Sequence, residues 1–147
     1  MNSNDRTAAR HTPIDLSPEE FRALGRDLVD RLAGLFASLR TRPVTPEAAP
    51  GRIRERLGAD RPLPDQGSDP AALLADAADL LFEHSLFNGH PRFWGYITSS
   101  PAPIGALADL LAAAVNPNVG GWKLSPMASE IEAQTVRWIA ELVGYPA

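Results

Sequence analysis

His90-Pro91-Arg92-Phe93-Trp94-Gly95-Tyr96-Ile97 is the least ordinary stretch of this 147-residue chain. Three aromatic side chains, Phe93, Trp94 and Tyr96, fall within four positions. Pro91 biases His90 away from the α region, Gly95 interrupts any helix, and aromatic and β-branched side chains suit a pleated surface. The stretch is therefore expected to be extended. Almost everything around it reads as helix, which makes the chain mainly α, with four to five helices plus this one extended aromatic segment. Gly95 leaves room for backbone or a ligand to approach while large π-faces surround it. Pattern alone leaves two readings equally open, a pocket wall and a buried structural strand.

Working outward, the helix before the segment opens at Asp69-Pro70, carries Leu73, Leu74, Ala77, Leu80 and Leu81 inward, and runs to about Leu86, with Asn88-Gly89 ending it. Further back, Ser17-Pro18-Glu19-Glu20 combines a serine N-cap, a proline at the first helical position and a glutamate three residues after the cap. Phe21, Leu24, Leu28, Leu32, Leu35 and Leu39 follow at steps of three and four, one apolar stripe on a helix that ends before Pro43. Such a stripe needs a partner surface. Between these helices, Pro43 to Gly51 reads as a linker, Arg52 to Leu57 as a short helix stopped by Gly58, and Pro62 to Gly67 as a loop. After the segment, Pro101-Ala102-Pro103 begins a helix closed by Asn116-Pro117, and Asn118-Val119-Gly120-Gly121 is a permissive turn. Ser125-Pro126 repeats the cap-plus-proline signal for a last helix carrying Met127, Ile131, Thr135, Trp138, Ile139 and Leu142. Residues 1–14 are polar and unpatterned, and are expected to form a disordered tail.

Composition removes several functions. With no cysteine there are no disulfides, thiolate metal sites or cysteine nucleophile, in keeping with a cytoplasmic protein. A net charge of −4, with thirteen arginines scattered among acidic neighbours, argues against nucleic acid as a partner. The longest apolar stretch, Ile104 to Val115, is broken by Asp109 and too short to cross a bilayer, and the N-terminus has no signal-like apolar run. A chain of this length can bury about 70% of its unfolded surface, so a core without staples is expected. His11, His84 and His90 lack metal-ligand spacing, so no metal site is expected. The carboxylates of Asp76 and Asp79, and of Glu130 and Glu132, read as solvent-facing groups rather than an acid/base dyad. No nucleophile elbow, Walker loop or dinucleotide turn is present.

One ordered set of motifs goes further. His90-Pro91-Arg92-Phe93-Trp94-Gly95-Tyr96, Leu107-Ala108-Asp109-Leu110-Leu111, Asn116, Trp122 followed by Ser125-Pro126 and Glu130-Ile131-Glu132, then Trp138-Ile139-Ala140-Glu141-Leu142 and Gly144-Tyr145-Pro146 recur in one series. The series resembles the N-terminal part of the group II pyridoxal-phosphate-dependent amino-acid decarboxylases, the family of aromatic-L-amino-acid and glutamate decarboxylases, over about residues 15–147. The resemblance implies the start of an α/β aminotransferase-like fold in a carboxy-lyase of amino-acid metabolism, working on a small-molecule substrate that is an L-amino acid, aromatic ones included. It implies an intertwined homodimer in which residues 15–88 wrap over the partner and 89–147 begin the large cofactor domain. It also implies that Tyr96, Ile97, Thr98 and Ser99, together with Asn118, Gly120 and Trp122, wall the substrate side-chain pocket, partly across the dimer interface. Met127 stands where alanine is common in the family, and Ile97 and Gly120 where a large aromatic residue is often found.

Decarboxylation on pyridoxal phosphate needs a lysine to hold the cofactor, a carboxylate on the pyridine nitrogen, a stacking face and phosphate donors. The sequence contains a single lysine, Lys123. By resemblance all four elements lie further along, and Lys123 is expected to be a surface or interface residue. No catalytic or cofactor-binding residue is therefore expected here, and the polypeptide reads as an N-terminal piece, inactive alone, that is completed by a second copy or by the remainder of a decarboxylase chain. A non-catalytic helical dimerisation module and an unrelated helical binding protein with an aromatic pocket are the other open readings.

Overall fold

In the computed structural model, which describes residues 14–146, Ser17 opens α1 (Pro18–Ser38) through a reciprocal capping box. The Glu20 N–H donates to the Ser17 hydroxyl at 3.2 Å, and the Ser17 N–H donates to the Glu20 carboxylate at 2.8 Å. Two backbone donors that a helix start would otherwise leave bare are thus satisfied. A short 3-10 turn, Leu39–Thr41, continues α1 before Pro43. α2 (Pro50–Leu57) starts two residues earlier than expected, inside the proline- and alanine-rich linker, and closes at Gly58 in the left-handed region. Asp69 caps α3 (Pro70–His84) by accepting the Ala72 N–H at 2.8 Å. α4 (Pro103–Val115) ends at Asn116, also left-handed, and α5 (Pro126–Leu142) follows a turn. The Ser125 hydroxyl does not cap α5, although the residue occupies the cap position. No strand forms among the described residues. The unpatterned stretch expected at 1–14 lies, except for Ile14, outside them.

The chain divides into two compact units, the first ending at Ser100 and the second beginning at Pro101. In the first, α1 packs on α3. Leu24, Leu28, Leu32, Leu35 and Leu39 of the α1 stripe are half-buried, whereas Phe21 at its start is exposed. On α3 the packed side matches the expected one only in part. Ala78 is buried at 5% exposure, and Leu74 and Leu80, both expected inward, are half-buried with Ala75 and Phe82, while Leu73, Ala77 and Leu81 face solvent. Successive helical residues are rotated by about 100°, so moving from the 73/77/81 row to the 74/78/82 row turns the helix by that angle. A small residue in the buried row lets two helix backbones approach. Arg31 crosses the same contact, its guanidinium 2.7 Å from Asp27 one turn earlier and 3.0 Å from Asp79 on α3.

The second unit holds α4, the turn after it and α5. Ile104, Leu107, Leu110, Leu111 and Val115 on α4, and Met127, Ile131, Val136, Trp138, Ile139 and Leu142 on α5, are all exposed. Among the described residues, a self-sufficient core of the size expected from chain length is therefore not formed. Ala78 is the one buried apolar residue among those described. No helix is long and apolar enough to cross a membrane among the described residues.

Candidate functional site

The aromatic segment begins at a fixed point. His90 is 2% exposed and both its ring nitrogens are engaged, Nε2 with the Arg42 carbonyl at 3.0 Å and Nδ1 with the Arg92 N–H at 3.0 Å. Nδ1 can accept that proton only if it carries none, so the ring is the Nε2–H tautomer donating to Arg42. Arg42 is itself tied down. Its Nε donates to the Ser38 hydroxyl at 2.8 Å, one guanidinium nitrogen donates to the Phe82 carbonyl at 3.0 Å, and the group lies 5.8 Å from the centre of the Phe87 ring. The linker takes part as well, since the Phe87 N–H donates to the Val44 carbonyl at 3.4 Å.

From this anchor the segment turns once, the Phe93 N–H donating to the His90 carbonyl at 2.9 Å, and then runs out without helix or strand partners. The Phe93 and Tyr96 rings are 6.3 Å apart and tilted at 40°. A β-carbon at Gly95 would stand 3.2 Å from the Phe93 ring, so a side chain there would push the ring by a few tenths of an ångström. What approaches Gly95 is thus the protein's own ring. Tyr96 has φ of 57°, in the left-handed region that a bulky residue seldom occupies. Its side chain is 86% exposed, and Trp94, Ile97, Thr98 and Ser99 are exposed too. The buried-strand reading of the segment is overturned, since no ladder forms and most of its side chains face outward.

In the second unit, Asn118 closes a small turn by accepting the Gly120 N–H at 2.9 Å. A β-carbon on Gly120 would fall 3.0 Å from that same Asn118 oxygen, which explains a glycine at this position. The Trp122 indole N–H donates to the Glu130 carboxylate at 2.8 Å, so Glu130 of α5 sets the direction of the ring. The paired carboxylates read from sequence likewise act singly, Asp79 on Arg31 and Glu130 on Trp122. Of the seven expected site residues, Tyr96, Ile97, Thr98 and Ser99 belong to the first unit and Asn118, Gly120 and Trp122 to the second. A separate hollow of about 680 Å³ in the first unit lies between α2 and the end of α3, lined by Arg52, Arg56, Glu83 and His84 among others, and includes none of the seven.

The chain from residue 50 to 147 matches the family model described as the pyridoxal-dependent decarboxylase conserved domain. The chain belongs to this family. It is 35% identical over 139 residues to a tyrosine decarboxylase of Oryza sativa subsp. japonica, covering 95% of this chain and 26% of that protein. It is 29% identical over 133 residues to an aromatic-L-amino-acid decarboxylase of Bacillus atrophaeus, covering 90% of this chain and 27% of that one. Among solved structures, the 4-hydroxyphenylacetaldehyde synthase of Rhodiola rosea superposes with a TM-score of 0.73 at 27% identity, over 92% of this chain and 28% of its own. The chain thus spans about a quarter of the length of the curated relatives it matches. It corresponds to a helical region of a fold that carries pyridoxal phosphate in the complete enzyme.

Lys123 is exposed in the turn before α5, and the buried imidazole, His90, has both nitrogens committed to backbone groups, so its ring is not free to face a pyridine ring. Arg42 was invisible to sequence reasoning, since it lies 48 residues from His90 and no periodicity joins them.

Proposed function

We propose that this polypeptide is the N-terminal portion of a cytoplasmic, pyridoxal-phosphate-dependent decarboxylase of aromatic L-amino acids, where it supplies dimer interface and part of the substrate-pocket wall. Pyridoxal phosphate supplies the electron sink for the bond broken as carbon dioxide leaves. The lysine that holds it belongs to sequence beyond these residues. Here the chain's own groups bind and orient. In the first unit Tyr96, Ile97, Thr98 and Ser99, and in the second, taken by itself, Asn118, Gly120 and Trp122, are the residues assigned to contact with the substrate side chain. Ile97 and Gly120 are each smaller than the large aromatic residue often found there in the family.

The observation that carries this reading is Tyr96, a large aromatic residue held exposed at a left-handed backbone angle. Strain of that kind is retained where the surroundings use it, and an exposed tyrosine in an irregular segment contributes little to a core. Support for the dimer role comes from the apolar side chains that the helices leave facing outward, Phe21 and Val29 on α1 among them. The aromatic preference rests on the names of the relatives.

The test compares the 147-residue chain with the same residues joined to a downstream decarboxylase sequence, each supplied with pyridoxal phosphate and tyrosine. The longer protein is expected to take up the cofactor and release carbon dioxide, and the shorter to do neither. A cofactor absorbance band in the short chain that disappears in Lys123→Ala, or turnover by that chain, would refute the proposal. If neither protein is active and the short chain is a stable dimer, the dimerisation-module reading takes its place.

A further inference from the structure

His90 is the one buried polar residue among those described, and it sits where the helical pair hands over to the exposed aromatic segment. We propose that His90 and Arg42 are positioning residues, a clasp that fixes the exit of the Phe93–Ser99 segment on α1 and α3 and so sets where Tyr96 stands. The proposal rests on the pocket-wall reading above. Arg42 bridges the end of α1, through the Ser38 hydroxyl, and the end of α3, through the Phe82 carbonyl. Its own carbonyl then takes the His90 proton, so one residue couples the segment to both helices. The other ring nitrogen and the His90 carbonyl hold the Arg92 and Phe93 N–H groups. From Trp94 to Ser100 every residue is exposed, so residues 90–93 are the last fixed ground before Tyr96. Burying an imidazole costs desolvation, which an apolar side chain of similar size would avoid. What the imidazole adds is direction at two atoms.

The two nitrogens can be separated by substitution in the complete enzyme. In His90→Asn the amide oxygen can still accept the Arg92 N–H, a local turn bond that asparagine makes readily, but the reach to Arg42 is lost. In His90→Gln the longer amide reaches toward Arg42 and gives up the Arg92 bond. Arg42→Lys keeps the charge yet cannot bridge Ser38 and Phe82 together, and it serves if the histidine variants fail to fold. Amide exchange by mass spectrometry and steady-state kinetics are read side by side. For His90→Asn we expect faster exchange over residues 93–99 with α1 and α3 unchanged, and KM raised about 10-fold with kcat within about twofold. His90→Gln should show a smaller change, centred on Arg92 and Phe93.

A merely structural role would instead speed exchange in the helices and lower kcat through loss of active protein, leaving KM alone. That result overturns the proposal. So does unchanged exchange over 93–99, or faster exchange with unchanged KM when Tyr96→Ala raises KM. If Tyr96→Ala leaves KM unchanged, the pocket-wall reading falls, and the clasp is then judged on exchange alone.

Discussion

At Tyr96 stability and the proposed pocket-wall role pull in opposite directions. A left-handed backbone angle costs a residue with a β-carbon about 1–2 kcal/mol, and glycine nothing. Tyr96→Gly relieves that cost but adds freedom to the unfolded chain worth roughly 0.5–1 kcal/mol. With so exposed a ring, little packing is lost. Thermal unfolding of the complete enzyme is expected to shift upward or not at all, while KM rises; a clear fall in Tm would mean the ring is structural. The second-unit residues invite the complementary experiment. Gly120→Ala puts a methyl 3.0 Å from the oxygen that accepts the Gly120 N–H, so the turn must open or move. The expected cost is about 1 kcal/mol, the worth of a typical hydrogen bond, and Trp122 fluorescence should change with it. Unaltered fluorescence and stability would show that the turn adapts freely.

The helices show which information is local. Ser17 was legible as a cap and Asp69-Pro70 as a helix opening because each bonds within three residues of itself, and the structure closes both. The face of α3 was not legible in the same way. Leu73, Leu74, Ala77, Ala78, Leu80 and Leu81 make the helix apolar nearly all round, and only α1 selects the row that is buried. The Arg42–His90 clasp does not follow from pattern either, since it joins residues 48 apart, and no pattern in the sequence marks Tyr96 as left-handed. Ala78→Leu therefore makes a direct test of the α1–α3 contact. Overpacking at the buried row is expected to cost about 1–3 kcal/mol, whereas Ala77→Leu, one residue along, should be nearly silent by denaturant midpoint. The capping box predicts a pH dependence. The Ser17 hydroxyl, and after it the Ser17 backbone N–H, hold the Glu20 carboxyl below its ordinary range. A lowered folded pKa means the contribution is complete above the unfolded value, about 4.3, and disappears as pH falls through the folded one. The Ser17 and Glu20 amide resonances should move together below about pH 4, and Glu20→Gln should remove the titration. Resonances that stay put through that interval would mean the box is open in solution.

On the scale of the chain, what remains outside governs behaviour. α4 and α5 present at least eleven large apolar side chains to solvent, and α1 adds Phe21 and Val29. Burying a side chain such as leucine or isoleucine contributes roughly 1.5–3 kcal/mol, so covering only five of them is worth roughly 8–15 kcal/mol. That matches the whole stability of an ordinary domain, about 5–15 kcal/mol. The α1–α3 contact, with one buried alanine, half-buried leucines and one arginine bridge, leaves these faces uncovered. The 147-residue chain alone is therefore expected to keep its helices, bind a hydrophobic dye such as ANS, self-associate, and melt without a sharp transition. On the proposed reading, supplying the rest of a decarboxylase sequence should cover these faces, abolish dye binding and bring a cooperative transition. The decisive comparison is calorimetry and light scattering on the two proteins. A cooperative, dye-free monomer from the short chain would show that its helices satisfy one another in solution, and the exposed faces would then cease to argue for a larger enzyme.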